Sequence, residues 1–142
     1  MRAFMIALVV AAALPAATAG SDSFRPVEDR YLGHTTRSGA PIEIRVGGYL
    51  RPERRELPAV RLVSWRAKLR CPGHRTRVAS DRMAAARIGR TFSGFVMFPG
   101  GKLSFSGVFT ARDALRGSVR VQRRTGTLRC DTGAVRFVAR RR

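Results

Sequence analysis

The sequence predicts an all-β domain: an antiparallel β-sandwich, or a barrel-like relative of one, of about seven short strands with one disulfide. Three observations lead there. From about Tyr31 onward, apolar and polar residues alternate with period two along most of the chain, the pattern of strands with one buried face. Gly- and Pro-rich turn signals recur at regular spacing, and no stretch shows a convincing helical period. The only two cysteines, Cys71 and Cys130, both fall on the inward phase of their strands.

Residues 1–19 read as a secretory leader. Arg2 precedes an apolar run from Ala3 to Leu14, shorter than the roughly 20 residues a spanning helix needs. Pro15 breaks the run, and Ala17-Thr18-Ala19 offers the small-x-small pattern cleaved before Gly20. The expected mature chain is therefore exported, extracellular or wall-associated, with no transmembrane segment. Residues 20–30 lack periodicity and read as an extended lead-in to one domain over 31–142.

In the first strand Ile42, Ile44 and Val46 alternate with Glu43 and Arg45, and Gly47-Gly48 is expected to end it in a turn. Arg51 to Pro58 reads as a loop in which Glu53 and Glu56 pair with Arg51, Arg54 or Arg55. Val60 and Leu62 then share one phase, after which Val63, Trp65, Ala67, Leu69 and Cys71 take over the apolar face. Such a phase change inside one strand needs a bulge near Leu62-Val63. Cys71-Pro72-Gly73-His74 turns the chain, and Asp81 to Ala86 fits either a helical turn or a loop. Phe92 to Phe98 is apolar on both faces, as in a central strand, and Pro99-Gly100-Gly101 turns it back. Leu103, Phe105 and Phe109 oppose Ser104, Ser106 and Thr110. After a turn near Arg112, Leu115, Gly117, Val119 and Val121 alternate with Arg116, Ser118, Arg120 and Gln122. Arg123 to Gly126 turns again, Leu128 and Cys130 point inward, and Val135, Phe137 and Ala139 close the pattern opposite Arg136, Val138 and Arg140.

An exported chain with two cysteines joins them, because its compartment is oxidising. They lie 59 residues apart, and the loop-entropy model assigns about 4 kcal/mol to closing such a loop. The bridge is read as structural: redox catalysis lacks its Cys-x-x-Cys, and a zinc set of Cys71, His74, Cys130 and His34 runs against the rarity of metal thiolates in oxidising compartments. A true immunoglobulin domain does not fit. Its core Trp lies between the cysteines, whereas Trp65 precedes both, and Leu128 stands where its corner Tyr belongs.

The chain carries 28 Lys and Arg against nine Asp and Glu, a formal charge of +19. It falls to +18 once Arg2 leaves with the leader. Only Lys68 and Lys102 are Lys and there is no Asn, a skew that GC-rich coding imposes, although that bias does not explain so few acids. A charge of this size attracts polyanions at low salt. Many of the cations fall on the outward phase of strands, so at least one sheet face is expected to be positive.

Residues with possible chemistry fare less well. Asp131-Thr132-Gly133 resembles the motif of retroviral-type aspartic proteases, but only nine residues follow it, whereas that family places its flap and apolar-Gly element after the motif. The alternative is a tight turn with Asp capping backbone N–H groups. His34 and His74 sit beside turns without a nucleophile in a recognisable setting. Gly100-Gly101-Lys102 lacks the rest of a phosphate loop, and Trp65, Phe105 and Phe109 share the inward phase, which makes them core rather than a stacking platform.

Several segments together resemble a recurrent kind of small exported actinobacterial domain. They are Ser38-Gly39-Ala40-Pro41-Ile42, Leu69-Arg70-Cys71, Phe105-Ser106-Gly107-Val108-Phe109, Arg116-Gly117-Ser118-Val119-Arg120-Val121 and Cys130 through Arg140. Phe137 stands where similar sequences carry Trp, and Met83 to Ile88 departs from their strand pattern. The resemblance implies a β-sandwich with a Cys71–Cys130 bridge and brings no catalytic residues. The expected function is non-enzymatic, without cofactor or metal: binding of anionic envelope or extracellular polymer through Arg66, Lys68, Arg70, Arg116, Arg120, Arg136 and Arg140. No specific nucleic acid is expected. The alternative is a structural or protein-interaction domain whose basicity is incidental.

Overall fold

The computed structural model describes residues 24–51, 56–79 and 83–142, with backbone alone for 74–79. The leader, its cleavage point, Glu53 to Arg55 and Asp81-Arg82 lie outside the described residues. Eleven strands are present: β1 (Asp29–Thr35), β2 (Pro41–Leu50), β3 (Leu57–Ser64), β4 (Arg66–Cys71), β5 (His74–Ala79), β6 (Met83–Ile88), β7 (Thr91–Phe98), β8 (Gly101–Ala111), β9 (Ala114–Thr125), β10 (Leu128–Asp131) and β11 (Val135–Arg141). No helix occurs among the described residues.

All strands pair antiparallel in one sheet, and a β9–β11 ladder closes the ring β1-β2-β3-β6-β7-β8-β9-β11. Of the two forms expected, the barrel is therefore the one found. Strands β10, β4 and β5 continue from β9 as a wing outside the ring. The count exceeds seven for four reasons. The end of the lead-in already pairs as β1, the long strand breaks at Trp65 into β3 and β4, and His74–Ala79 and Met83–Ile88 are strands. In β6 the inward positions are Met83 and Ala85, both buried; small alanines carry the alternation there, which hides it from a hydrophobicity pattern.

Two other expectations are corrected. Gly47-Gly48 does not end the strand: β2 runs on to Leu50, and the register slips between Val46 and Tyr49. Gly48, at φ 70°, supplies the left-handed backbone that this irregularity needs. Phe92–Phe98 does lie between β6 and β8, but its apolar outer face is not covered. Phe95 and Met97 are 63% and 65% exposed, and Phe95 is topped by the Lys102 ammonium 4.7 Å from its ring centroid. The bulge expected near Leu62-Val63 is present: Glu43 pairs with Ser64 and Ile44 with Leu62, leaving Val63 as the extra residue.

An eight-stranded barrel has room inside for side chains to fill, and here Tyr31, Ile44, Leu62, Phe92, Phe105, Phe109, Leu115 and Phe137 fill it. Gly107 and Gly117 face each other across β8 and β9. A Cβ on Gly107 would stand 2.3 Å from the Phe92 ring, and one on Gly117 2.7 Å from the Phe137 ring. The two rings occupy the space that the missing side chains leave.

The lead-in is part of the packing. Val27 donates its N–H to Arg112 O at 2.7 Å, and Phe24 lies 5.9 Å from Phe109 between ring centroids. The Tyr31 hydroxyl sits 2.7 Å from Val27 O and 2.9 Å from Arg112 O. Burial, with Asp113 nearby, pushes its pKa up to about 12.

Candidate functional site

One edge of β9 serves two partners in succession. Residues 114–119 pair with β11, and residues 122–125 pair with β10. Since β10 and β11 follow each other in the chain, the linker Thr132–Ala134 must leave the edge and return to it, opening a fork. Asp131 Oδ1 accepts the Gly133 N–H at 2.7 Å, Gly133 adopts φ 66°, and Thr132 exchanges bonds with the Val121 backbone. The Asp-Thr-Gly motif is thus a capped turn. Its carboxylate is also clamped by Arg120, whose Nε lies 3.0 and 3.1 Å from the two oxygens. That hydrogen bond holds Asp131 below the usual carboxylate range and raises Arg120.

A cleft of about 820 Å³ opens at this fork. Its walls are the β1–β2 turn, the strand β4, and the linker leading into β11. The turn is braced from within: buried Thr35 accepts the Ala40 N–H at its Oγ1 (3.0 Å), its Oγ1 lies 2.7 Å from Ser38 Oγ, and its carbonyl accepts the Gly39 N–H. Arg37 is carried on that turn. On β4, buried Leu69 fixes the inward phase, which leaves Arg66, Lys68 and Arg70 exposed on the other. Arg136 enters from β11.

Among the described residues, therefore, five cations and no carboxylate line one cleft. The four ion pairs among the described residues are Arg30–Glu43, Arg51–Glu56, Arg120–Asp131 and Arg141–Asp29, and none uses a cleft cation. The expected Arg51–Glu56 pair is among them. The strand register also sets Lys68 opposite Arg77 and Arg70 opposite Arg75 of β5.

Of the seven cations expected to bind, Arg66, Lys68, Arg70 and Arg136 meet in the cleft. Arg116 shares a shallow groove with Arg136 on the adjoining β9–β11 face. Arg120 is paired with Asp131, and Arg140 lies farther along β11, opposite Leu32 and Ala114 and outside the cleft. Arg37 lies outside that set because it sits in the β1–β2 turn, where no strand alternation marks a residue as outward-facing. The run Thr36-Arg37-Ser38-Gly39 could have flagged an exposed cation at a loop tip.

The wing that carries β4 is held by little ladder. β10 and β4 share one register pair, Asp131 with Arg70. Beside it Cys71 and Cys130 form the expected disulfide, with Cα atoms 4.2 Å apart. The bond consumes both sulfurs that a zinc set would need. Trp65, at the break between β3 and β4, is buried together with Leu69, Leu103, Val121 and Cys130 in the same continuous core.

No protein-family model matches the chain, and neither a curated protein nor a solved structure shows significant similarity to it.

Proposed function

We propose that the protein is an exported, non-enzymatic module that holds an anionic polymer of the cell envelope or extracellular space in the cleft between barrel and wing. The observation that carries this reading is the convergence of Arg37, Arg66, Lys68, Arg70 and Arg136 on one cleft that no acidic side chain lines among the described residues. Cations grouped on a concave surface focus the field and capture polyanions. A disulfide that fixes one wall of the site suits an oxidising compartment.

The test is retention of the disulfide-bonded protein on envelope polymer in steps of salt. Neutralising five contacts gives a log-affinity against log-salt slope of about −4. Retention that ignores salt, or none above a neutral polymer, contradicts the reading.

A protein partner is the second reading. It is favoured by the short β10–β4 ladder, which leaves most of that β4 edge without a strand partner among the described residues. An extended segment of a partner added there would bind through main-chain hydrogen bonds, and its affinity would depend on salt far less than a polymer's.

A further inference from the structure

We infer that the polymer suited to this cleft is a polyol phosphate, a chain of short polyols joined by phosphodiesters. The inference rests on reading the cleft as a polyanion site and adds the chemistry of the ligand. Arg66, Lys68 and Arg70 stand on one face of β4, separated by half-buried Ala67 and buried Leu69. Same-face positions of a strand recur every two residues, about 6.8 Å.

Two peptide residues span six backbone bonds. A glycerol phosphate repeat also spans six: two P–O bonds, two C–O bonds and two C–C bonds. An extended polyol phosphate lying along β4 therefore presents one phosphate per cation, and the two chains stay in step. A carboxylated polysaccharide behaves differently, because each charge hangs from a bulky ring and successive rings turn about the chain axis. Its same-side carboxylates fall out of step with the β4 row.

The other wall fits the same ligand. Arg37 and Arg136 line the cleft from the β1–β2 turn and β11, and a guanidinium fork matches two oxygens of one phosphate. Thr36 also lines the cleft, and its hydroxyl, held only by a 3.4 Å bond to Arg136 O, is on offer to the polyol. No aromatic side chain lines it among the described residues, so they provide no stacking platform of the kind that bases of a single-stranded nucleic acid require.

The test compares three probes of matched charge number on the disulfide-bonded protein at one ionic strength: poly(glycerol phosphate), polygalacturonate and oligo(dT). The expected result is poly(glycerol phosphate) bound roughly ten-fold tighter than polygalacturonate, the worth of about one charge-assisted hydrogen bond kept in step. It is also expected to bind tighter than oligo(dT), whose six-bond backbone repeat keeps its phosphates in step but whose bases find no aromatic platform among the described lining residues. Lys68→Gln, at an exposed position, weakens that binding and lowers the salt slope by about one, while Arg140→Gln outside the cleft leaves both unchanged. Equal binding of polygalacturonate overturns the spacing argument and leaves polyanion binding standing. Oligo(dT) bound as tightly as the polyol phosphate overturns the assignment to a polyol. Failure of all three to bind overturns the function proposed above along with this inference.

Discussion

The barrel and the wing are written in the same alternating code and paired by the same antiparallel ladders, but they are closed in different ways. Every barrel strand has a partner on both edges, and the interior is packed with Tyr31, Phe105, Phe109 and Phe137. The wing departs from β9, where β10 takes over from β11, and β4 is joined to β10 by one register pair and a disulfide. Three of its cations stand in a row on β4, whereas the barrel's are dispersed and several are paired with acids. The difference is one of closure: cohesion comes from the closed ring, and the unfinished edge leaves a cleft beside it.

Perturbing the ring gives the largest expected effects. Phe105→Ala deletes a fully buried ring that packs against Phe92 and Phe137 and is expected to cost about 3–5 kcal/mol in denaturant unfolding. The reverse error, Gly107→Ala, puts a methyl group 2.3 Å from the Phe92 ring and 2.4 Å from Arg116 O. It is expected to cost about 1–3 kcal/mol by overpacking. If either variant unfolds like the parent, the ring is not the seat of stability.

Removing the disulfide sharpens the comparison. The paired change Cys71→Ser and Cys130→Ser loses up to about 4 kcal/mol by the loop-entropy estimate for its 59-residue separation. The loss is expected to be uneven: hydrogen exchange in β4 and β5 accelerates before that in β1, β2 and β11. Uniform acceleration would show one cooperative unit in place of a scaffold and an appendage.

A smaller effect probes the end of the barrel where the lead-in packs. Tyr31 is held protonated, with its pKa raised from 10.0 to about 12, chiefly by burial. Because the folded value exceeds the unfolded one, its contribution is complete below pH 10 and is lost as pH rises toward about 12. Tyr31→Phe should lose about 1 kcal/mol at neutral pH through its missing hydrogen bond and flatten the stability decline over that alkaline window. An unchanged alkaline decline would assign it to other groups.

Much of the barrel was legible in the sequence because its inward positions are large. Val60, Leu62, Phe105, Phe109 and Phe137 announce the period, and the phase change at Leu62-Val63 gave away the bulge. The disulfide followed from two inward cysteines. What stayed hidden has physical causes. β6 alternates through alanines, β5 reads as polar, and β1 uses Gly33 at an inward position where backbone of β11 approaches too closely for a side chain. Ring closure depends on β9 pairing with β11, a contact across a fork that no local pattern encodes.

The candidate site was half legible. A strand's outward phase told which cations are exposed, so Arg66, Lys68, Arg70 and Arg136 were named in advance. Which of them converge is a property of the fork, and it joined Arg37 to the group while leaving Arg140 outside it. Asp131 neutralises Arg120 through the same turn that builds the fork.

The central claim, that location in the cleft matters more than total charge, has a direct test. Two triple variants remove the same charge: Arg66→Gln, Lys68→Gln and Arg70→Gln from the cleft, or Arg45→Gln, Arg140→Gln and Arg142→Gln from exposed positions on and beside the barrel. Binding of poly(glycerol phosphate) is then followed against salt. The account predicts that the cleft variant loses about three from the salt slope and most of its affinity at physiological ionic strength, while the barrel variant stays close to the parent. Equal loss in both variants would mean that the protein binds through its overall charge, and the cleft would lose its standing as a site.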